Sequence, residues 1–376
     1  MNAEGKVHFK GLNGIRAIAA LAVVFSHIGL SLLDFGLPAK NEGIDLAGYG
    51  VSIFFSLSGF LITYLLLIEK QKFGAIEIRQ FYVRRILRIW PLYYFYLLIT
   101  LLTLYLLGRS PNAHYTVFYF LFAANVPFIY SYFINGIVHL WSIGVEEQFY
   151  LFWPWIVKRS KYLFWTVLFF ILALVFLKLY LWLMVNRTGK GIGLRMLSVT
   201  RFHCMAIGAL GAILYYKRHA FFLKVAYSIV SQALAWLVII LSMFNRFHIS
   251  AFIDNEVVSV VAVILILNVA TNPRTLINLE RTVPDYLGKI SYGIYVYHPL
   301  VIIFTTYILA GYLKNTAIEY RYMLLYSLIP LLTILIAGLS YEYFEKPFLA
   351  LKSRFSRVPS SPEEISPVRS AVVINP

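Results

Sequence analysis

Residues 11–33 read GLNGIRAIAALAVVFSHIGLSLL. From Leu12 to Leu33 the run is apolar and long enough to cross a bilayer, since about 20 helical residues span the hydrocarbon core. Lys6 and Lys10 precede it, as basic residues precede the apolar part of a secretory signal. Arg16 interrupts its start, however, His27 lies inside it, and no small-residue cleavage site follows. The segment is read as a retained first helix that carries two ionisable residues where lipid should be.

The rest of the chain repeats that pattern. Of its 376 residues 60% are hydrophobic and 13% charged, whereas soluble domains hold about 25% charged residues. Mean hydropathy is +0.74. A soluble fold cannot bury so much apolar surface, so lipid must supply part of the solvent. The same figures exclude disordered, collagenous and disulfide-stapled classes, and the single cysteine, Cys204, has no intrachain partner.

Ten stretches are predicted to span, at roughly 12–33, 48–68, 86–107, 139–157, 162–185, 197–216, 222–243, 254–271, 286–309 and 322–344. An eleventh, residues 115–133, is interrupted by Ala123-Ala124-Asn125-Val126-Pro127 and reads as a re-entrant or interfacial segment. The net charge of +16 tests this topology. With the N-terminus inside, 19 of the 33 basic residues fall in cytoplasmic segments and 8 in outer loops. The positive-inside rule therefore favours an all-α polytopic bundle of about ten helices with both termini cytoplasmic. It also explains the charge without nucleic acid. Residues 1–348 are expected to form one membrane domain, and residues 349–376, polar and proline-bearing, a short disordered cytoplasmic tail.

Ionisable residues inside spans are expensive and mark function by default. Arg16 and His27 are eleven positions apart, about three turns, so they share one helix face roughly 16 Å apart along the axis. A snorkelling role for Arg16 and a satisfied buried histidine are the bland alternatives. Residues 81–91, FYVRRILRIWP, place Arg85 and Arg88 one turn apart, a fork suited to phosphate oxygens. Residues 139–150, HLWSIGVEEQFY, put Ser142 and Glu146 on one face. Glu146 is the candidate to orient His27, while Glu147 is expected to pair with an arginine. Residues 291–299, SYGIYVYHP, carry His298 before Pro299, where either catalysis or a structural role at a kink is open. Glu345, in YEYFEKP at 341–347, is placed to pair with the arginine cluster. No nucleotide-loop, zinc-protease or paired-cysteine motif occurs, so no metal is expected.

Taken in order, these motifs resemble the acyltransferase-3 family of integral membrane acyltransferases, of the bacterial O-acetyltransferase type. The resemblance rests on GLNGIR at 11–16 with His27, VSIFFSLSGFLI at 51–62, residues 81–91, Trp141-Ser142 with Glu146, SYGIY at 291–295 with His298, and Glu345 with Pro347. It covers about residues 11–348 and implies a ten-helix bundle in the bacterial cytoplasmic membrane. Such a bundle moves an acyl group, usually acetyl, from cytoplasmic acyl-CoA to a hydroxyl of a carbohydrate or glycolipid toward the outer face. Some members carry a fused extracytoplasmic domain, which this sequence is expected to lack. The family's arginine–histidine pattern falls on Arg16 and His27, and its arginine pair on Arg85 and Arg88.

The expected site therefore has His27 and Glu146 as catalytic groups and Arg16, Arg85 and Arg88 on acyl-CoA. Trp141, Ser142, Asn125 and His298 are candidates for the acceptor or oxyanion. Acetyl-CoA is expected as donor substrate, with no tightly bound cofactor. A glycolipid transporter or flippase would also need intramembrane Arg, His and Glu, and a structural membrane protein would need none of them.

Overall fold

The structure is a computed structural model and describes residues 9–38, 46–189, 191–244, 246–313 and 316–358. Among these residues the regular elements are all helical. In chain order they are α1 (Leu12–Leu30), α2 (Leu46–Phe73), α3 (Ile78–Leu106), α4 (Ala113–Phe120), α5 (Asn125–Ile129), α6 (Trp141–Arg159), α7 (Leu163–Thr188) and α8 (Ile192–Thr200). They continue as α9 (Phe202–Tyr216), α10 (Ala220–Ala226), α11 (Ile229–Met243), α12 (Asp254–Thr271), α13 (Thr282–Lys289), α14 (Ser291–Leu313), α15 (Ile318–Ser340) and α16 (Lys346–Ser353). The chain is an all-α, multi-pass membrane bundle.

Among the described residues eight helical stretches are long and apolar enough to cross a membrane, and the bent pair α10–α11 makes a ninth. The remaining predicted span is α6, a 19-residue helix set apart by Glu146, Glu147, Lys158 and Arg159. Several spans are less regular than the hydrophobic pattern suggests. The sixth is broken at Arg201, whose φ is 44°, and its side chain donates to the carbonyls of Ser198 and Gly48. The seventh bends by 55° between α10 and α11, where the Ser228 hydroxyl caps the new helix by accepting from the Ser231 amide. The ninth starts only at Ser291, because α13 ends at Lys289 with Ile290 as its C-cap. Residues 115–133 are broken as expected, into α4 and α5 around Phe122, whose φ is 53°.

The boundary expected at residue 348 falls within a continuous helical run. A π turn at Tyr341–Glu345 carries the tenth span on into α16, so position 348 lies inside a helix. Ser356 and Val358 beyond it are buried, and the Phe355 carbonyl accepts from Arg84 Nη1 at 2.8 Å. Residues 359–376 of the predicted tail lie outside the described residues.

At the centre α2 packs against α9 at near backbone contact. A Cβ at Gly59 would stand 1.9 Å from the Met205 carbonyl oxygen, and one at Gly208 would stand 2.0 Å from that of Ser56. Lipid chains offer no hydrophobic drive for helices to associate, so such interfaces rely on small residues and close packing. This explains the run Ser56-Leu57-Ser58-Gly59 in the middle of an otherwise bulky apolar span.

Candidate functional site

A cavity of about 710 Å³ opens among α1, α2, α3, α6, α13 and α14. Glu69, Arg84, Lys289 and Lys352 are part of its charged lining, and Phe54, Phe55, Ser142 and Tyr295 line it as well. Arg16, Arg85 and Arg88 all reach this cavity, although they come from two helices far apart in sequence. Arg16 donates to Asn13 Oδ1 at 2.8 Å, and Asn13 Nδ2 donates to Asp285 at 2.9 Å, so α13 steadies the guanidinium. Arg85 lies over the rings of Phe81 and Tyr150, 5.4 and 5.2 Å from their centroids, with its Nε buried and unpartnered. Arg88 makes no hydrogen bond or ion pair among the described residues.

Arg84 behaves differently from its neighbours. It pairs with Glu69 at 3.3 Å and holds the Phe355 carbonyl, so it ties the segment after α16 to α3. Glu69 in turn accepts from the Glu77 amide. Lys289 pairs with Asp285 and Glu280 with Lys10, which consumes most of the acidic lining. Glu345 shares the cavity with Arg88 and accepts from Ser340 at 3.4 Å, without the ion pair expected of it. Three guanidinium groups therefore share the cavity with Glu146 and Glu345 as the carboxylates that no ion pair among the described residues consumes, an excess of positive charge suited to a polyanion.

Glu146 lines the same cavity, but its partner is not His27. It accepts from the Tyr150 hydroxyl, which also meets Ser58 Oγ at 2.5 Å. Glu147 accepts from Trp90 Nε1 at 3.0 Å, not from an arginine. The expectation that Glu146 orients His27 is thus replaced. His27 Nδ1 lies 2.6 Å from His298 Nε2, with the rings edge to edge at a centroid distance of 4.8 Å and 8° between planes. His298 is fully buried and His27 half-buried. His139 stands behind them, 5.3 Å from the His298 ring, with Nε2 toward the Val296 carbonyl at 3.1 Å.

Of the oxyanion candidates, Ser142 lies on the cavity wall. Its hydroxyl meets that of Tyr295 at 2.5 Å, and Tyr295 donates to the His139 carbonyl at 2.9 Å. The Tyr295 ring also touches His298, at 5.9 Å between centroids. The Ser142–Tyr295 pair therefore separates the cavity from the histidine pair. Trp141 and Asn125 do not line the cavity. Trp141 is buried against Phe128 at 4.9 Å and under Arg201, and Asn125 exchanges hydrogen bonds with Gln148, which fastens α5 to α6.

Two groups of functional interest escaped the sequence reading. Ser58, Tyr150 and Tyr295 are ordinary residue types whose placement alone makes them notable. Lys178, His203 and Glu256 form a buried charge cluster across α7, α9 and α12: Lys178 Nζ lies 2.7 Å and His203 Nε2 3.0 Å from Glu256 Oε1. That cluster had a signal, since each member is ionisable and sits inside a predicted span.

Comparison with known proteins agrees with this architecture. The profile of the acyltransferase domain family matches residues 9–342. Two Staphylococcus aureus proteins named "Putative O-acetyltransferase" are similar: SACOL0978 of strain COL, 28% identical over 98% of this chain, and SAR0937 of strain MRSA252, 29% identical over 94%. The O-acetyltransferase OatA of S. aureus strain NCTC 8325 is 25% identical over 90%. The aligned region covers 61%, 60% and 57% of those relatives, so the chain spans about three fifths of their length. No solved structure matches. With a family profile running through α1 to α15, the chain belongs to the acyltransferase-3 family of integral membrane proteins.

Proposed function

We propose that the chain is a membrane O-acyltransferase that takes an acyl group, acetyl in the first instance, from acyl-CoA and delivers it to a carbohydrate or glycolipid hydroxyl. The carrying observation is a single cavity that gathers Arg16, Arg85 and Arg88 and ends against the Ser142–Tyr295 pair beside His27 and His298. The basic residues orient the cavity mouth to the cytoplasm of a bacterial inner membrane, where acyl-CoA is found. The three arginines would take the donor's phosphates by charge-assisted hydrogen bonds, and the pantetheine arm would run inward along Phe54 and Phe55.

The reaction assigned to the inner end is simple to balance. The acceptor hydroxyl gives its proton to His27 as its oxygen attacks the thioester carbonyl. The carbon–sulfur bond then breaks, and the coenzyme A thiolate leaves and takes up that proton. Ser142 or Tyr295 is the donor best placed for the oxyanion. Glu146 is assigned to the Ser58–Tyr150 hydrogen-bond chain instead of the base.

The test uses the full chain in lipid nanodiscs. Radiolabelled acetyl-CoA should bind, coenzyme A and adenosine 3′,5′-bisphosphate should compete, and His27→Ala should bind but not transfer. Surface glycans from cells with and without the gene, compared by mass, identify the acceptor. A chain that fails to bind acetyl-CoA but moves glycolipid between leaflets would establish the transporter reading instead.

A further inference from the structure

The His298-Pro299 sequence has a consequence for His27. Proline lacks a backbone N–H, so within α14 the carbonyl four residues earlier, that of Tyr295, loses its helical donor. Nδ1 of His298 lies 3.3 Å from the carbonyl of Ile294, one turn back in the same helix. A carbonyl can only accept, so Nδ1 of His298 bears the hydrogen. In the neutral ring Nε2 is then a lone pair. That lone pair faces His27 Nδ1 at 2.6 Å, which must supply the hydrogen. His27 is thereby held as the Nδ1–H tautomer, with its lone pair on Nε2.

We propose that His298 is a positioning residue that fixes the His27 tautomer, making Nε2 of His27 the atom that receives the acceptor's proton. This rests on the acyltransferase reading above. His139 cannot substitute, since its Nε2 is directed to the Val296 carbonyl and its ring meets His298 edge-on. When His27 takes the proton, its Nδ1–H continues to donate to His298, now as a charge-assisted bond. The two rings lie edge to edge with 8° between their planes, so the bond between Nδ1 of His27 and Nε2 of His298 lies close to both ring planes.

The test reads the tautomer and the kinetics separately. In full-length protein in nanodiscs, labelled with 15N-histidine and assigned with His27→Gln, neutral His27 should show protonated Nδ1 and bare Nε2. In His298→Ala the two tautomers should mix. Kinetically, His298→Ala should lower kcat by about 100-fold, at the low end of general-base effects, with KM for acetyl-CoA within about twofold of the parent. His298→Gln can place a carbonyl oxygen near the former Nε2 and should recover at least about tenfold of that loss. The assignment is overturned by a His27 that is mainly Nε2–H in the parent, by a tautomer unchanged in His298→Ala, or by folded Gln and Ala variants of equal activity. The expected tautomer in a chain showing no acyl transfer upholds the assignment and overturns the function reading alone.

Discussion

Replacing Arg88 by Gln separates an anion-binding cavity from a structural one. Arg88 has no protein hydrogen bond or ion pair among the described residues, so its loss strands no partner. Arg16 is a like charge near it, and Glu345 in the same cavity opposes it. Stability without acyl-CoA should therefore change by no more than about 0.5 kcal/mol. A hydrogen bond to a charged group is worth about 1.5–3 kcal/mol, and 1.4 kcal/mol is tenfold in affinity. KM for acyl-CoA should then rise roughly 10- to 150-fold with kcat little changed. The contrast is Arg84→Gln, which removes the partner of nearly buried Glu69 and releases the Phe355 carbonyl. That variant should lose about 1–3 kcal/mol of stability. Thermal unfolding in nanodiscs without nucleotide and initial rates against acetyl-CoA give both quantities. An Arg88→Gln protein that melts like Arg84→Gln, or keeps its KM, would refute the anion-site reasoning.

Three further outcomes are expected. Gly59→Ala would place a carbon 1.9 Å from the Met205 carbonyl and should cost more than the usual 1–3 kcal/mol of overpacking. Gly311→Ala, which meets nothing within 4 Å, should be neutral, and size-exclusion profiles in detergent compare the two. Lys178→Met leaves Glu256 buried with only His203 beside it and should cost about 3–5 kcal/mol. The double variant Lys178→Met, Glu256→Leu should be milder, as an unfolding double-mutant cycle would show; additive losses would mean the pair is not coupled. Tyr295→Phe and Ser142→Ala should each lower kcat, by about 100-fold or more for whichever donates to the oxyanion, and equal KM values would show that donor binding is intact.

Much of this architecture was legible before any contact was known. An apolar run of about 20 residues is a local property, as is the excess of basic residues on one side of alternate spans, so the span order follows from the chain itself. The arginines were equally visible, because a cation that enters an apolar run needs a reason. Partners were not visible, because they depend on which helix faces meet. Arg16 and His27 share a face of α1, yet Arg16 turns to the cavity while His27 meets His298, 271 positions away. Glu146 was read as the partner of His27 and is instead held by Tyr150, one turn along its own helix. Trp141 and Asn125 are polar groups in the right region, but packing against Phe128 and Gln148 keeps them off the cavity wall. Lys178 and Glu256 are each visible as charges in separate spans, but they are tied to each other only once folded. The physical reason is the same in each case. Hydrophobic length and charge bias act within a segment, whereas helix pairing in lipid is set by backbone approach at sites such as Gly59 and Gly208. No local signal reports which distant backbone will fill that space.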